Sequence, residues 1–158
     1  LDVTGTARFS TGVLFGSDTA AANTLHDYEE GNWTPVFTDE DNATFTASAT
    51  IASAYYVKVG AQVTVWARIQ NINNGDAEDQ FCIKGLPFTV EAAHAGGTAM
   101  FSGWNFVKTG SICTYVRDDG VIKFFETLDN LSWSPITWSE NDSSTNDMNF
   151  YATYRTTQ

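Results

Sequence analysis

The chain has 158 residues, 14% of them aromatic, which is enough apolar material for one packed domain and excludes a disordered linker. Its formal net charge is −11, with only eight Lys and Arg scattered along it, so no clustered cations exist for a nucleic-acid backbone and an anionic membrane surface would repel it. No apolar run is long enough to span a bilayer and no signal-peptide architecture is present.

Residues 1–16 alternate short β-prone pieces with Gly5, Gly12 and Gly16. Leu1, Val3, Ala7, Phe9, Val13 and Phe15 fall at alternate positions within these pieces. Strands this short cannot bury their own apolar face, so they are expected to need copies of themselves or a neighbouring chain. The chain opens on Leu1, which suggests a fragment or a processed product. Ala20, Ala21, Ala22 and Leu25 predict a short helix over Thr19–Tyr28 with Asp18 as N-cap. Asn23–Pro35 follows, acidic at Asp27, Glu29 and Glu30. Gly31 is read there as a sharp turn, and Trp33 as opening a strand whose pairing Pro35 limits.

From Gly31 onward about eight strands are predicted with no helix between them. They are Trp33–Thr38, Thr44–Ile51, Ala54–Val59, Gln62–Ile72, Phe81–Leu86, Thr98–Val107, the pair Ser111–Arg117 and Val121–Glu126, and Asp147–Thr157. In Gln62–Ile72, Val63, Val65, Ala67 and Ile69 share one face, with Thr64, Trp66, Arg68 and Gln70 on the other. Thr98–Val107 places Met100, Trp104 and Phe106 on one face and Phe101 and Val107 on the other. Asp119-Gly120 supplies the turn of a hairpin. Asp147–Thr157 alternates Met148, Phe150, Ala152 and Tyr154 against Asn149, Tyr151, Thr153 and Arg155. The expected fold is all-β, an antiparallel β-sandwich of jelly-roll type over residues 31–158, preceded by a shaft-like segment over residues 1–30.

The candidate chemistry is sparse. Cys82 and Cys113 sit in apolar β-like runs and are expected to be buried free thiols. His26 and His94 are the only imidazoles, there is no Gly-x-Ser-x-Gly, and no catalytic residue, cofactor or metal site is assigned. The acidic loops, around Asp39–Asn42, Asp76–Asp79 and Glu140–Asp142, offer hard oxygens but match no calcium-loop pattern. Paired carboxylates for glycoside hydrolysis would need a raised pKa on one partner, and most acids here lie in polar loops. Trp33, Trp66 and Trp104 are expected in the core or a subunit interface. Trp133 and Trp138 lie in the long loop Leu128–Asn146. They either stack on sugar rings or cap the sandwich. With Asn141 and Asp142 beside them, they are the candidate receptor contacts.

Three motifs in order carry a resemblance. Leu25-His26-Asp27-Tyr28-Glu29-Glu30-Gly31-Asn32-Trp33-Thr34-Pro35 resembles the junction that joins a thin shaft to a C-terminal β-rich knob in bacteriophage tail-fibre and virion-appendage proteins. His26 and Asn32 depart from its common Asp and Thr. Tyr55-Tyr56-Val57-Lys58-Val59-Gly60 and Lys84-Gly85-Leu86-Pro87-Phe88 resemble two further motifs of that family. The resemblance covers about residues 20–90 and implies a non-enzymatic virion structural protein, a homotrimeric knob attaching to a host cell-surface glycan or protein and to other virion proteins. A decoration module that binds no host receptor, and a glycan-degrading appendage enzyme, remain alternatives. The trimer contact is expected in residues 1–30, with Asp27, Glu29 and Glu30 splayed outward or paired with Arg8 or a lysine.

Overall fold

The computed structural model describes residues 4–7, 9, 11–17, 19–20, 24–25, 27–41, 47–73, 79–91, 95–106, 110–141 and 146–157. The fold is antiparallel β throughout. Its strands are β1 (Tyr28–Asn32), β2 (Val36–Thr38), β3 (Ser48–Val59), β4 (Gln62–Asn73), β5 (Cys82–Lys84), β6 (Ala95–Ser102), β7 (Ser111–Val116), β8 (Ile122–Thr127), β9 (Ser134–Pro135) and β10 (Asn146–Arg155). They form one ten-stranded sheet in the order β1-β3-β4-β10-β6-β7-β8-β5-β2, with β9 also paired to β8. The expected all-β antiparallel fold forms, and because the hydrogen-bonded path is continuous the sheet curls into a half-barrel.

The connection between the two ends of that path explains the curl. β1 and β2 are the opposite edges of the sheet, yet only Trp33, Thr34 and Pro35 separate them. Three residues span little more than about 10 Å, so the edges must approach each other. Trp33 fills the seam. Its backbone N–H donates to the Ala54 carbonyl, its indole N–H donates to the Trp66 carbonyl at 3.0 Å, and its ring meets Phe150 edge-on at 6.3 Å.

Alternation sets the inner face. Val63, Val65, Ala67 and Ile69 of β4 and Met148, Phe150, Ala152 and Tyr154 of β10 are all buried, as their period of two predicts. The barrel is closed at one end by aromatic rings. Phe81 lies 4.6 Å from Trp138, 5.0 Å from Trp104 and 5.1 Å from Phe124, and Phe37 meets Trp138 at 5.3 Å. Edge-to-face pairs of this kind add about 0.5–1.5 kcal/mol each beyond burial.

Several expectations shift. Ala54–Val59 and the described end of Thr44–Ile51 belong to one strand, β3, whose register slips between Ile51 and Ser53. A bulge hides the continuity, because it interrupts the alternation. β6 ends at Ser102, and Gly103 adopts φ +84. The chain therefore turns inward, and Trp104 and Phe106 join Phe101 instead of opposing it, at 4.8 and 5.5 Å. Val107 lies outside the described residues. Gly31 is not a turn. It sits within β1 opposite Tyr56, and a Cβ there would be 3.0 Å from the Tyr56 ring. The helix expected over Thr19–Tyr28 is absent from its described residues; Leu25 instead forms an antiparallel bridge with Val13, both N–H···O distances 2.9 Å, and Tyr28 opens β1. Asp18 lies outside the described residues.

The β7–β8 hairpin forms as predicted. Val116 and Ile122 close it, Gly120 takes φ +82, and Asp119 accepts from the Arg117 guanidinium and from the Val121 N–H. Cys82 and Cys113 are free thiols. Cys82 is fully buried, and burial pushes its thiol up to about 12. Cys113 is half-buried.

Candidate functional site

Two regions concentrate side chains of chemical interest. The first gathers the three recognisable motifs around Lys58. Lys58 pairs across β3 with Val63 and its ammonium is buried, at 6% side-chain exposure. It donates to Asp27, lies 3.4 Å from Glu29, and sits 5.2 Å from the centre of the Phe88 ring. The hydrogen bond to Asp27 outweighs desolvation and raises the Lys58 pKa. Asp27 also caps the β3–β4 turn, its carbonyl accepting the Gly60 N–H at 2.7 Å.

The third motif packs beneath. Tyr56 meets Phe88 edge-on at 5.3 Å. The Tyr154 hydroxyl donates to the Phe88 carbonyl and accepts from the Phe88 N–H, at 3.2 and 3.3 Å. Burial pushes that phenol up to about 12. Gly85 takes φ +95, and a Cβ there would strike the Thr34 carbonyl oxygen. The acidic junction thus finds a lysine, as expected, but one from its own sheet. Glu30 instead accepts the Tyr28 hydroxyl at 2.6 Å. Lys58, Asp27 and the Tyr154 hydroxyl are all engaged inside the fold, so the cluster acts as an anchor.

The second region lies on the outward face. Strand register sets Asn32, Tyr55, Trp66, Tyr151, Thr98, Cys113, Phe125 and Pro135 side by side in one line from β1 to β9. Each faces away from the core because its sequence neighbours face in. Tyr55 and Trp66 stack, with ring centres 5.4 Å apart and planes at 27°. Tyr151 follows on β10. At the other end, Trp133 stands 63% exposed over Phe125 at 5.9 Å and Tyr115 at 6.2 Å. Met100, 71% exposed, lies between the two ring clusters on β6. A shallow depression of about 230 Å³ opens between Trp66, Met100, Asn149 and Tyr151. A larger one of about 590 Å³ lies between Val59, Gln62, Gly96, Thr153 and Arg155.

The sequence-predicted receptor contacts separate. Trp133 belongs to the outward face. Trp138 is fully buried, and its indole N–H donates to the Thr38 carbonyl at 3.3 Å. Asn141 is also buried; its amide donates to the Ile72 carbonyl at 3.3 Å and its oxygen accepts from Asn146. Neither has surface to offer a receptor, so both are corrected to parts of the core. The reason is local. Loop Leu128–Asn146 is not free, because Ser134–Pro135 pairs with β8 and a 3₁₀ turn over Trp138–Glu140 is fixed by a Thr137/Glu140 capping box. Asp142 lies outside the described residues, as do His26 and His94.

Sequence reasoning did not single out Tyr55, Tyr115 and Phe125 as surface groups, and it set Tyr151 on the polar side of its strand without giving it a role. The signal was aromatic residues on the polar side of alternating strands, where burial cannot account for them. Among the described residues no cluster of three His, Cys, Asp or Glu is placed to hold a metal ion. The carboxylates nearest the buried lysines are committed, Glu40 to Lys123 at 2.5 Å and Asp27 and Glu29 to Lys58. No helix of the described residues is long and apolar enough to cross a membrane.

Compared with known proteins, the chain matches no family model, no curated protein and no solved structure.

Proposed function

We propose that this chain is the knob of a virion appendage, a tail fibre or similar, that attaches to a host-surface glycan through its outward aromatic line and performs no catalysis. The observation that carries this reading is the row Tyr55–Trp66–Tyr151, continued by Phe125, Tyr115 and Trp133, on the solvent side of the sheet. Single exposed apolar side chains are ordinary, but rings gathered by strand register on one solvent face form a patch of the kind that marks a contact surface. Rings flanked by Thr, Asn and Gln suit sugars, which present apolar ring faces and hydroxyl edges. The three ordered motifs support the appendage setting by resemblance. Binding of the whole chain to a glycan array and to intact host bacteria tests it. Absence of binding to both would leave the decoration module as the reading.

The appendage is read as a homotrimer joined through residues 1–30. Phe9 and Phe15 are 58% and 69% exposed, with Leu14 and Leu25 also open. One copy leaves these side chains in water, and a closed ring of copies would bury them. Sedimentation of the intact chain checks this: a trimer that dissociates on deletion of residues 1–26 is the expected result, and a monomer at micromolar concentration opposes it.

A further inference from the structure

The two outward depressions lie end to end along β10, and their lining differs from that of the Trp133 cluster. Down the middle runs the outward side of β10, with Asn149, Tyr151, Thr153 and Arg155 in sequence. β4 flanks it with Arg68, Trp66, Thr64 and Gln62, each paired to one of those residues. On the other flank β6 contributes Gly96, which carries no side chain beside Thr153. A sheet face is ordinarily ridged by side chains on every strand. Here one flank is bare at Gly96, and a trough results. Bulk could not be added at Gly96, because a Cβ would strike the carbonyl oxygen of Thr114.

The trough has charge at both ends. Arg68, opposite Asn149, is exposed and has no ion-pair partner among the described residues. Arg155, opposite Gln62, is 70% exposed and holds Glu91 at 2.5 Å. Asn149 to Arg155 is six residues of strand, about 20 Å at the antiparallel rise. Between the two guanidinium groups lie the rings of Trp66 and Tyr151 and the mutually bonded hydroxyls of Thr64 and Thr153, 3.0 Å apart.

We propose that this trough binds an extended, sparsely acidic glycan, with one carboxylate at Arg68 and the chain running along β10 over Trp66 and Tyr151 towards Arg155. The inference rests on the attachment reading and specifies its ligand. Guanidinium groups recognise carboxylates with paired, charge-assisted hydrogen bonds. Sparseness follows from the lining: Arg155 is already paired with Glu91, Arg68 has no ion pair among the described residues, and Gln62, Thr64, Trp66, Tyr151 and Thr153 between them are uncharged. The chain carries a net −11, and charges within about 8–10 Å are poorly screened at physiological salt. A polymer with a charge on every unit would leave most of its anions unpaired on a protein of net charge −11. A polymer with one acidic sugar per short repeat would not.

The test uses the whole chain and four probes in solution: oligosaccharides of deacylated gellan, a linear glycan with one uronate per tetrasaccharide; the same material after carboxyl reduction; polygalacturonate; and polyribitol phosphate. The expected result is binding to gellan that falls about tenfold on carboxyl reduction and about tenfold in Arg68→Ala, with polygalacturonate and polyribitol phosphate weaker. Arg68 is exposed, so Arg68→Ala should fold normally, and Arg68→Lys should restore part of the binding. No binding to gellan, equal binding to the reduced form, or preference for either densely charged polymer overturns the proposal. Host-cell attachment separates the two levels. If it falls in Trp133→Ala but survives Arg68→Ala, this trough is refuted and the attachment reading stands. If gellan binds as described while no host cell is bound, the attachment reading fails and the trough remains.

Discussion

Lys58 and Arg68 lie on adjacent strands and meet opposite fates. Lys58 is buried beneath Phe88 and shared by two carboxylates. Arg68 stands in solvent beside a stacked tryptophan and tyrosine. The first belongs to a region that the three motifs define almost completely: the acidic junction, the Tyr-Tyr-Val-Lys-Val-Gly run and the Gly-Leu-Pro-Phe loop touch one another there. The second belongs to a face assembled from eight strands with no local sequence signature. The difference teaches that the motifs in this chain record how the sheet is held together, whereas the outward aromatic face is built from side chains that register alone brings side by side. A motif needs adjacent residues. An outward line across strands does not.

The comparison can be broken from its structural side first. Trp138→Ala empties the aromatic end of the barrel and removes the donor to Thr38; a loss of about 3–5 kcal/mol is expected in denaturant unfolding. A near-neutral result would mean the ring is not core. Lys58→Ala should lower stability by about 2 kcal/mol. It strips the cation from Asp27 and Glu29, which are partly solvated and so soften the penalty. Gly85→Ala forces a side chain into φ +95 against Thr34, for about 1–2 kcal/mol from the backbone conformation alone. Differential scanning fluorimetry ranks these three variants.

The same region gives the fold a pH signature. Lys58, Tyr154 and Cys82 all have pKa values raised in the folded state, the last two to about 12. Each group holds its proton more tightly folded than unfolded. Their stabilisation is therefore complete below the ordinary values of 9 to 10.5 and is lost as pH climbs towards 12. Alkaline unfolding over that range is expected, and Tyr154→Phe should shift its onset upwards relative to the stability it starts from. A smaller effect follows from the cysteines. At pH 8, Cys113 should react with a maleimide well before Cys82, because thiolate is the reacting form and Cys82 is both enclosed and held protonated. Equal rates would show that the seam between β5 and β8 opens readily.

Much of the sheet was legible in the sequence, and the failures have physical causes. β4 and β10 alternate cleanly because one face of each is wholly buried. β3 read as two strands because its bulge breaks the period near Ser53. Trp104 and Phe106 were assigned to the wrong face because Gly103 ends β6 and redirects the chain. Gly31 reads as a turn in the sequence, although its role is to leave room for Tyr56. The candidate site was harder. Trp133 and Trp138 share one polar segment and look alike in composition. What separates them is Ile136, buried two residues before Trp138, an alternation too short to read with confidence beside Pro135. Trp66 and Tyr151 were visible on the polar sides of their strands, but nothing in the sequence says that they are neighbours. Only the pairing of β4 with β10 does.

The most direct test of the central claim is host-cell attachment measured beside thermal stability in the double variant Trp133→Ala/Tyr151→Ala. Both residues are partly solvated, and substitutions at such positions usually change stability by less than about 1 kcal/mol. If the outward face is the adhesive surface and the motif-bearing anchor only holds the sheet closed, attachment should be lost while the melting temperature stays within a few degrees of wild type. Undiminished attachment at unchanged stability would contradict the account.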